Sequence, residues 1–195
     1  MILVHGFAGA ITTKYTLKLF NLKKISKDKL NILWIVGITA GVFPDFDLLY
    51  IYFNKDLEHR KLITHSLVPY LTFFLINIVI LYFLNKRYKQ KNLSFYFALN
   101  AVFFIGVLFH LILDFFVGGL SLLSPINYNY YGYRLPYNTN DNSWQFSYFT
   151  SYYLLAEFLV FAFFAYLFRS TKNFIARYLP FLYFIVALGA IVFVF

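Results

Sequence analysis

The chain has 195 residues, of which 61% are hydrophobic, 24% aromatic and only 13% charged, with no cysteine and a formal net charge of +9. Soluble domains average roughly 45–50% apolar residues, so this composition, with a mean hydropathy of +0.66, excludes an ordinary soluble fold and marks an integral membrane protein. The missing thiols exclude disulfides, iron–sulfur clusters and thiolate–zinc sites, so any metal must be held by nitrogen and oxygen.

Apolar runs between charged breaks predict, in chain order, spans over 3–20, 32–53, 64–84, 93–117, 148–168 and 174–195. The expected fold is all-α, a polytopic helical membrane bundle of about five to six transmembrane helices, forming a single domain over 1–195 without internal repeats. The first run is the weakest, because Thr12, Thr13, Lys14 and Lys18 shorten its apolar length. It does not read as a secretory signal, since no basic segment precedes it. The long connection over 120–147 is rich in Tyr and Asn, and Tyr128, Tyr130, Tyr131, Tyr133 and Tyr137 suit the lipid headgroup level.

The basic residues are distributed unevenly about these runs. Lys14, Lys18, Lys23, Lys24, Lys27 and Lys29, then Lys86, Arg87, Lys89 and Lys91, then Arg169, Lys172 and Arg177 all fall on one side of the membrane. The other side receives Lys55, Arg60, Lys61 and Arg134. The positive-inside rule makes the richer side cytoplasmic and turns both termini outward, so the positive charge is an orientation signal and no nucleic-acid partner is expected.

Against this topology the ionisable residues inside the spans gather at one depth. Asp45 lies ~20 Å into the second span, and His110 and Asp114 lie ~25 and ~31 Å into the fourth, all near the outward face. His59 and His65 flank the outward loop, and His5 lies in the first turns of the first span. Carboxylates and imidazoles are costly in hydrocarbon, and their gathering predicts a polar site with a function, read here as a metal centre.

Local spacing supports the same reading. His110 and Asp114 are four apart and share a helix face, so they can chelate one ion or pair with each other. Pro44 breaks the second span, which lets Asp45 and Asp47 converge on a turn. Thr64 is expected to cap the third span, with His65 and Ser66 in its first turn. Arg60 has the fork to hold a phosphate or carboxylate. Glu157, deep in the fifth span, is expected to be neutral or hydrogen-bonded inside the bundle.

With these motifs the chain resembles the YdjM-like membrane-bound metal-dependent hydrolases. The pattern is an early histidine (His5), Pro44-Asp45-Phe46-Asp47, His59-Arg60, Thr64-His65-Ser66, His110 with Asp114, Gly119-Leu120-Ser121-Leu122-Leu123-Ser124-Pro125 and Arg134-Leu135-Pro136. The likeness covers 1–136, leaving the C-terminal helices over 148–195 outside it. Three positions depart from the pattern: Leu48 stands where histidine is common, His59 and His65 are six apart instead of five, and Val117 replaces a frequent threonine.

The resemblance implies a hydrolase of the cytoplasmic (inner) membrane, and the distribution of basic residues predicts that its site faces outward. Asp45, Asp47, His65, His110 and Asp114, completed by His5, would bind one or two divalent ions, zinc or manganese given mixed nitrogen and oxygen donors. The metal would activate water against an ester or phosphoester, at a depth that suits a lipid or lipid-linked substrate. Arg60 and Arg134 would balance developing negative charge, and His59 would protonate the leaving group. The competing class is a non-catalytic protein, either a metal-stabilised membrane protein or an ion or proton transporter. Transport sites lie near the bilayer midplane between related repeats, and here only Glu157 lies so deep.

Overall fold

The computed structural model describes residues 3–20, 22, 25–54, 59–88, 93–133 and 150–193. All regular elements among them are helical: α1 (His5–Leu19), α2 (Lys27–Ala40), a 3₁₀ turn (Phe43–Phe46), α3 (Asp47–Phe53), short 3₁₀ turns over His59–Lys61 and Ile63–His65, α4 (Leu67–Tyr88), α5 (Leu93–Phe116), α6 (Tyr152–Phe168) and α7 (Phe174–Phe193).

The helices α4 and α5, with 22 and 24 residues, are by themselves long and apolar enough to cross a membrane. A third crossing results if α2 and Phe43–Tyr50, bent by 66° from each other, form one broken span. The helix α1 has 15 residues, ~22 Å against a hydrocarbon core of ~30 Å, and α6 is likewise short at 17 residues. The reason lies in the surroundings of α1. It packs against α2, α5, α6 and α7, so its environment is protein and it needs neither the length nor the hydropathy of a lipid-facing helix. Its threonines are buried without cost to the backbone, because Thr12 and Thr13 donate to Gly9 O and Thr16 to Thr12 O. Lys14 reaches the last turn of α6, donating to Leu167 O at 2.7 Å, where the negative helix end favours a cation.

Between membrane helices, association depends on close packing and small residues, because lipid is as apolar as leucine. Phe7 is fully buried among Phe161, Phe164 and Phe181 with ring centroids 4.8–5.3 Å away. On its other side α1 meets backbone. A Cβ at Gly41 would lie 2.5 Å from His5 O and 2.9 Å from Gly9 Cα, and one at Gly106 would lie 2.8 Å from both Gly37 O and Ala40 Cβ. Only glycine lets α1, α2 and α5 approach this closely, and the N-terminus of α1, the broken end of α2 and the C-terminal turns of α5 thereby meet at one end of the bundle.

The break itself differs in detail from the expectation. The helix α2 stops at Ala40, ahead of Pro44, which occupies the first turn of the 3₁₀ segment; its fixed φ suits that position. The start of α4 also differs. Thr64 sits in a 3₁₀ turn and its hydroxyl turns to Asp47, while Ser66 Oγ accepts from Val68 N at 3.3 Å. Glu157 is buried and accepts from Leu3 N at 3.2 Å.

Candidate metal centre

Four helix ends deliver the polar side chains. His5 opens α1, Asp45 and Asp47 follow the break in α2, His59 and His65 lie on the turns before α4, and His110 and Asp114 occupy one face of α5. His5, His65, His110 and Asp114 are at most 2% exposed, and the side chains of Asp45, His59 and Arg60 are 12%, 25% and 16% exposed. The cluster is thus buried on the α1 and α5 sides and reaches the surface past the last three.

Its core is a set of four donor atoms. His65 Nε2 lies 3.5 Å from both Asp45 Oδ1 and Asp114 Oδ2, and 3.4 Å from His110 Nε2. His110 Nε2 lies 3.5 Å from Asp45 Oδ1 and 3.3 Å from Asp114 Oδ2. These are five of the six edges of a tetrahedron. Donors bound at ~2.0–2.1 Å to one small divalent ion are separated by edges of ~3.3–3.4 Å, so the spacing fits.

The protons fix what these atoms present to one another. His110 Nδ1 is 2.8 Å from Gly41 O, and His65 Nδ1 is 3.1 Å from Asp47 Oδ2. Both partners only accept, so each Nδ1 donates its proton there and each ring turns its Nε2 toward the other donors. Two carboxylate oxygens and two imidazole Nε2 atoms thus face each other at the spacing of donors around one small divalent ion, and a cation among them would meet all four. His5 repeats the pattern. Its Nδ1 donates to Asp45 Oδ2 at 2.8 Å, while its Nε2 has no hydrogen-bond partner and faces Asp114 Oδ1 at 3.7 Å.

The remaining residues hold this set in place. Asp47 receives Thr64 Oγ1 and His65 Nδ1, and His59 Nδ1 lies 2.7 Å from its other oxygen. It belongs to a second possible donor group, with His59 and His65, but its contact with the protonated side of His65 makes it an orienting carboxylate for the first group. His59 Nε2 lies 3.2 Å from Asp45 Oδ1. Burial acts to lower the pKa of His59, but Asp45 and Asp47 outweigh it and hold it at about 9. Arg60 donates to Asp114 Oδ1 at 3.3 Å and to Val117 O at 3.0 Å, so its fork braces a candidate ligand. Arg134 lies outside the described residues.

The stretch from Gly119 to Pro125 carries no ligand side chain and works as a strap. Ser121 N bonds Arg60 O, Leu67 N bonds Leu122 O, and the Ser66 hydroxyl donates to Leu122 O and Ser124 O. An antiparallel bridge between Leu120 and Tyr131 closes its base. Sequence reasoning brought together the seven His and Asp side chains and Arg60 but missed the backbone partners of His110 and Arg60, Gly41 O and Val117 O. The Gly-Val-Phe-Pro run after α2 was the available signal for the first, because a helix that ends there leaves carbonyls unpaired.

Fold and cluster together define a helical membrane protein with buried His/Asp groups able to hold a metal ion. The chain belongs to the YdjM inner membrane protein family, whose model matches residues 1–193. No curated protein and no solved structure matches the chain.

Proposed function

We propose that this protein is a metal-dependent hydrolase of the cytoplasmic membrane whose centre opens at the outward headgroup level. The observation that carries this reading is the inward-facing donor set of Asp45, His65, His110 and Asp114, whose spacing suits a divalent cation. Mixed imidazole and carboxylate donors favour zinc, with manganese as the alternative. Such an ion supplies Lewis acidity, polarising the scissile ester or phosphoester and acidifying water beside it.

The chain's own groups would do the rest. Asp45 is the more exposed of the two carboxylates, so substrate would approach past it. Arg60 anchors Asp114 and presents positive charge at the mouth, where charge builds on the attacked group. In the hydrolytic step the hydroxyl of water joins the acyl or phosphoryl centre, the bond to the leaving oxygen breaks, and a proton reaches that oxygen. His59 Nε2, partly exposed beside Asp45, is placed to supply it. His5 would share the burden of the charge through Asp45.

The outward placement is supported by helix direction. His65 lies before the start of α4 and Asp114 near the end of α5, while Lys86 and Arg87 mark the opposite end of that pair. A second reading has one observation in its favour: four protein donors can close a tetrahedral shell, as in structural sites. The experiment that separates the two uses purified, metal-replete protein against phosphodiester and carboxyl-ester substrates, with and without chelator. The enzyme reading expects chelator-sensitive turnover that Asp45→Asn abolishes. Absence of any such turnover, with Asp45→Asn changing only the melting temperature, would establish a staple.

A further inference from the structure

A groove of about 400 Å³ lies beside the centre, walled by Phe43, Phe46, Tyr50 and Ile63 and, on its polar side, by Asp47 and Thr64. This volume lies within the ~300–1,000 Å³ usual for small-molecule sites. Three features set it apart from the rest of the lipid-facing surface. It is concave and carries polar side chains in its wall, whereas a second apolar hollow, lined by Leu67, Leu108, Ile112 and Phe116, carries none. Its apolar walls come from the break after α2 and the turn before α4, the same two segments that supply Asp45, Asp47 and His65. Finally, it shares a wall with the centre, because Thr64 donates to Asp47 and Asp47 holds His65 Nδ1.

The walls state what belongs there. Phe43, Phe46, Tyr50 and Ile63 are 39%, 44%, 58% and 51% exposed, and none offers charge. Water gains little in such a channel, and a polar substrate would lose its hydration without compensation. A hydrocarbon chain loses nothing, and in a bilayer it is the neighbouring molecule. The polar mouth formed by Asp45, His59 and Arg60 lies next to the groove, so an amphiphile with its chain seated there places its headgroup linkage at the centre.

We propose that this groove seats the hydrocarbon chain of a membrane lipid, which makes the substrate a lipid ester or phosphoester cut at its headgroup linkage. This rests on the hydrolase reading above for the cleavage, and on the groove alone for the seat. Binding energy from the non-reacting chain then positions the reacting bond, as remote contacts do in other enzymes.

The test uses the full chain in nanodiscs containing a phospholipid with a diazirine along one acyl chain. After irradiation, adducts are mapped by mass spectrometry. Adducts are expected to concentrate on 43–50 and 62–64 over the α4 surface at Phe73, Val79 and Phe83, and to be lost from the groove in Phe46→Trp and in Ile63→Trp, which fill it from opposite walls. Metal content, measured in parallel, reports whether each variant is folded. Equal labelling of the groove and α4, or undiminished groove labelling in both folded variants, overturns the seat. Groove labelling without chelator-sensitive cleavage of any lipid supports the seat and removes the hydrolase reading. Chelator-sensitive cleavage without preferential groove labelling does the reverse.

Discussion

At the scale of single residues the centre separates atoms that would touch a cation from atoms that aim them. His65 and His110 have their Nδ1 protons taken by Asp47 and Gly41 O, so the two kinds of partner can be tested apart. His110→Ala and Asp114→Ala each remove a donor from the tetrahedral set; by elemental analysis the unmodified purified protein is expected to retain a stoichiometric divalent ion and each variant to lose it. Asp47→Asn keeps the volume and weakens the hold on His65, together with the contacts to Thr64 and His59. It should retain the ion with affinity reduced ~10–100-fold, read by chelator competition. Equal loss in all three would assign Asp47 to the ligands. Arg60→Lys is a further case: an ammonium cannot donate to Asp114 and Val117 O with one planar fork. The variant should keep its ion, lose turnover and melt at a lower temperature.

Much of this cluster was legible in the sequence because ionisable residues in hydrocarbon are rare and each one needs an explanation. His110 and Asp114 could be paired from their spacing of four alone. The division of labour between Asp45 and Asp47 could not, because two carboxylates two positions apart on a broken helix have no fixed directions until the turn is known. The bracing role of Arg60 was hidden for a similar reason. Its partner Val117 O is a backbone atom, and backbone atoms leave no mark in composition.

At the scale of elements, the meeting of α1, α2 and α5 depends on the small residues at their crossing. A methyl group at Gly41 would strike His5 O and Gly9 Cα, both backbone. Gly41→Ala should therefore push α1 from α2, cost ~1–3 kcal/mol by overpacking, and weaken ion retention, since Gly41 O also fixes His110. Gly189→Ala is the matched control. A Cβ there meets nothing within 4 Å, and the change should leave melting temperature and ion content unaltered or raise stability slightly, as alanine is the better helix former. Helix order and approximate helix bounds were readable from apolar runs, most directly for α4 and α5, which meet the length and hydropathy that crossing a membrane demands. The character of α1 was not, because a helix enclosed by other helices is released from those demands.

At the scale of the whole molecule, the direction of α4 and α5 and the placement of basic residues predict one orientation. The chain has no native thiol, so single cysteines report position without background. A cysteine at Tyr128 should react with an impermeant maleimide in intact cells, and one at Lys86 only after permeabilisation. Labelling of position 86 from outside would reverse the orientation and move the centre to the cytoplasmic face.

The seven converging side chains are widely separated along the chain, His5 at one extreme and Asp114 at the other. At a synthesis rate of ~5–20 residues per second, Asp114 emerges ~5–20 s after His5. Throughout that interval the early histidine and the carboxylates at 45 and 47 have at most His59 and His65 beside them and still lack His110 and Asp114. The centre can close only when α5 has arrived and the strap over 119–125 has followed. A cation held there would then be captured late in biogenesis, only once α5 has completed the set. With a metal held there, a cell short of it would be expected to accumulate this protein with the set of donors still open.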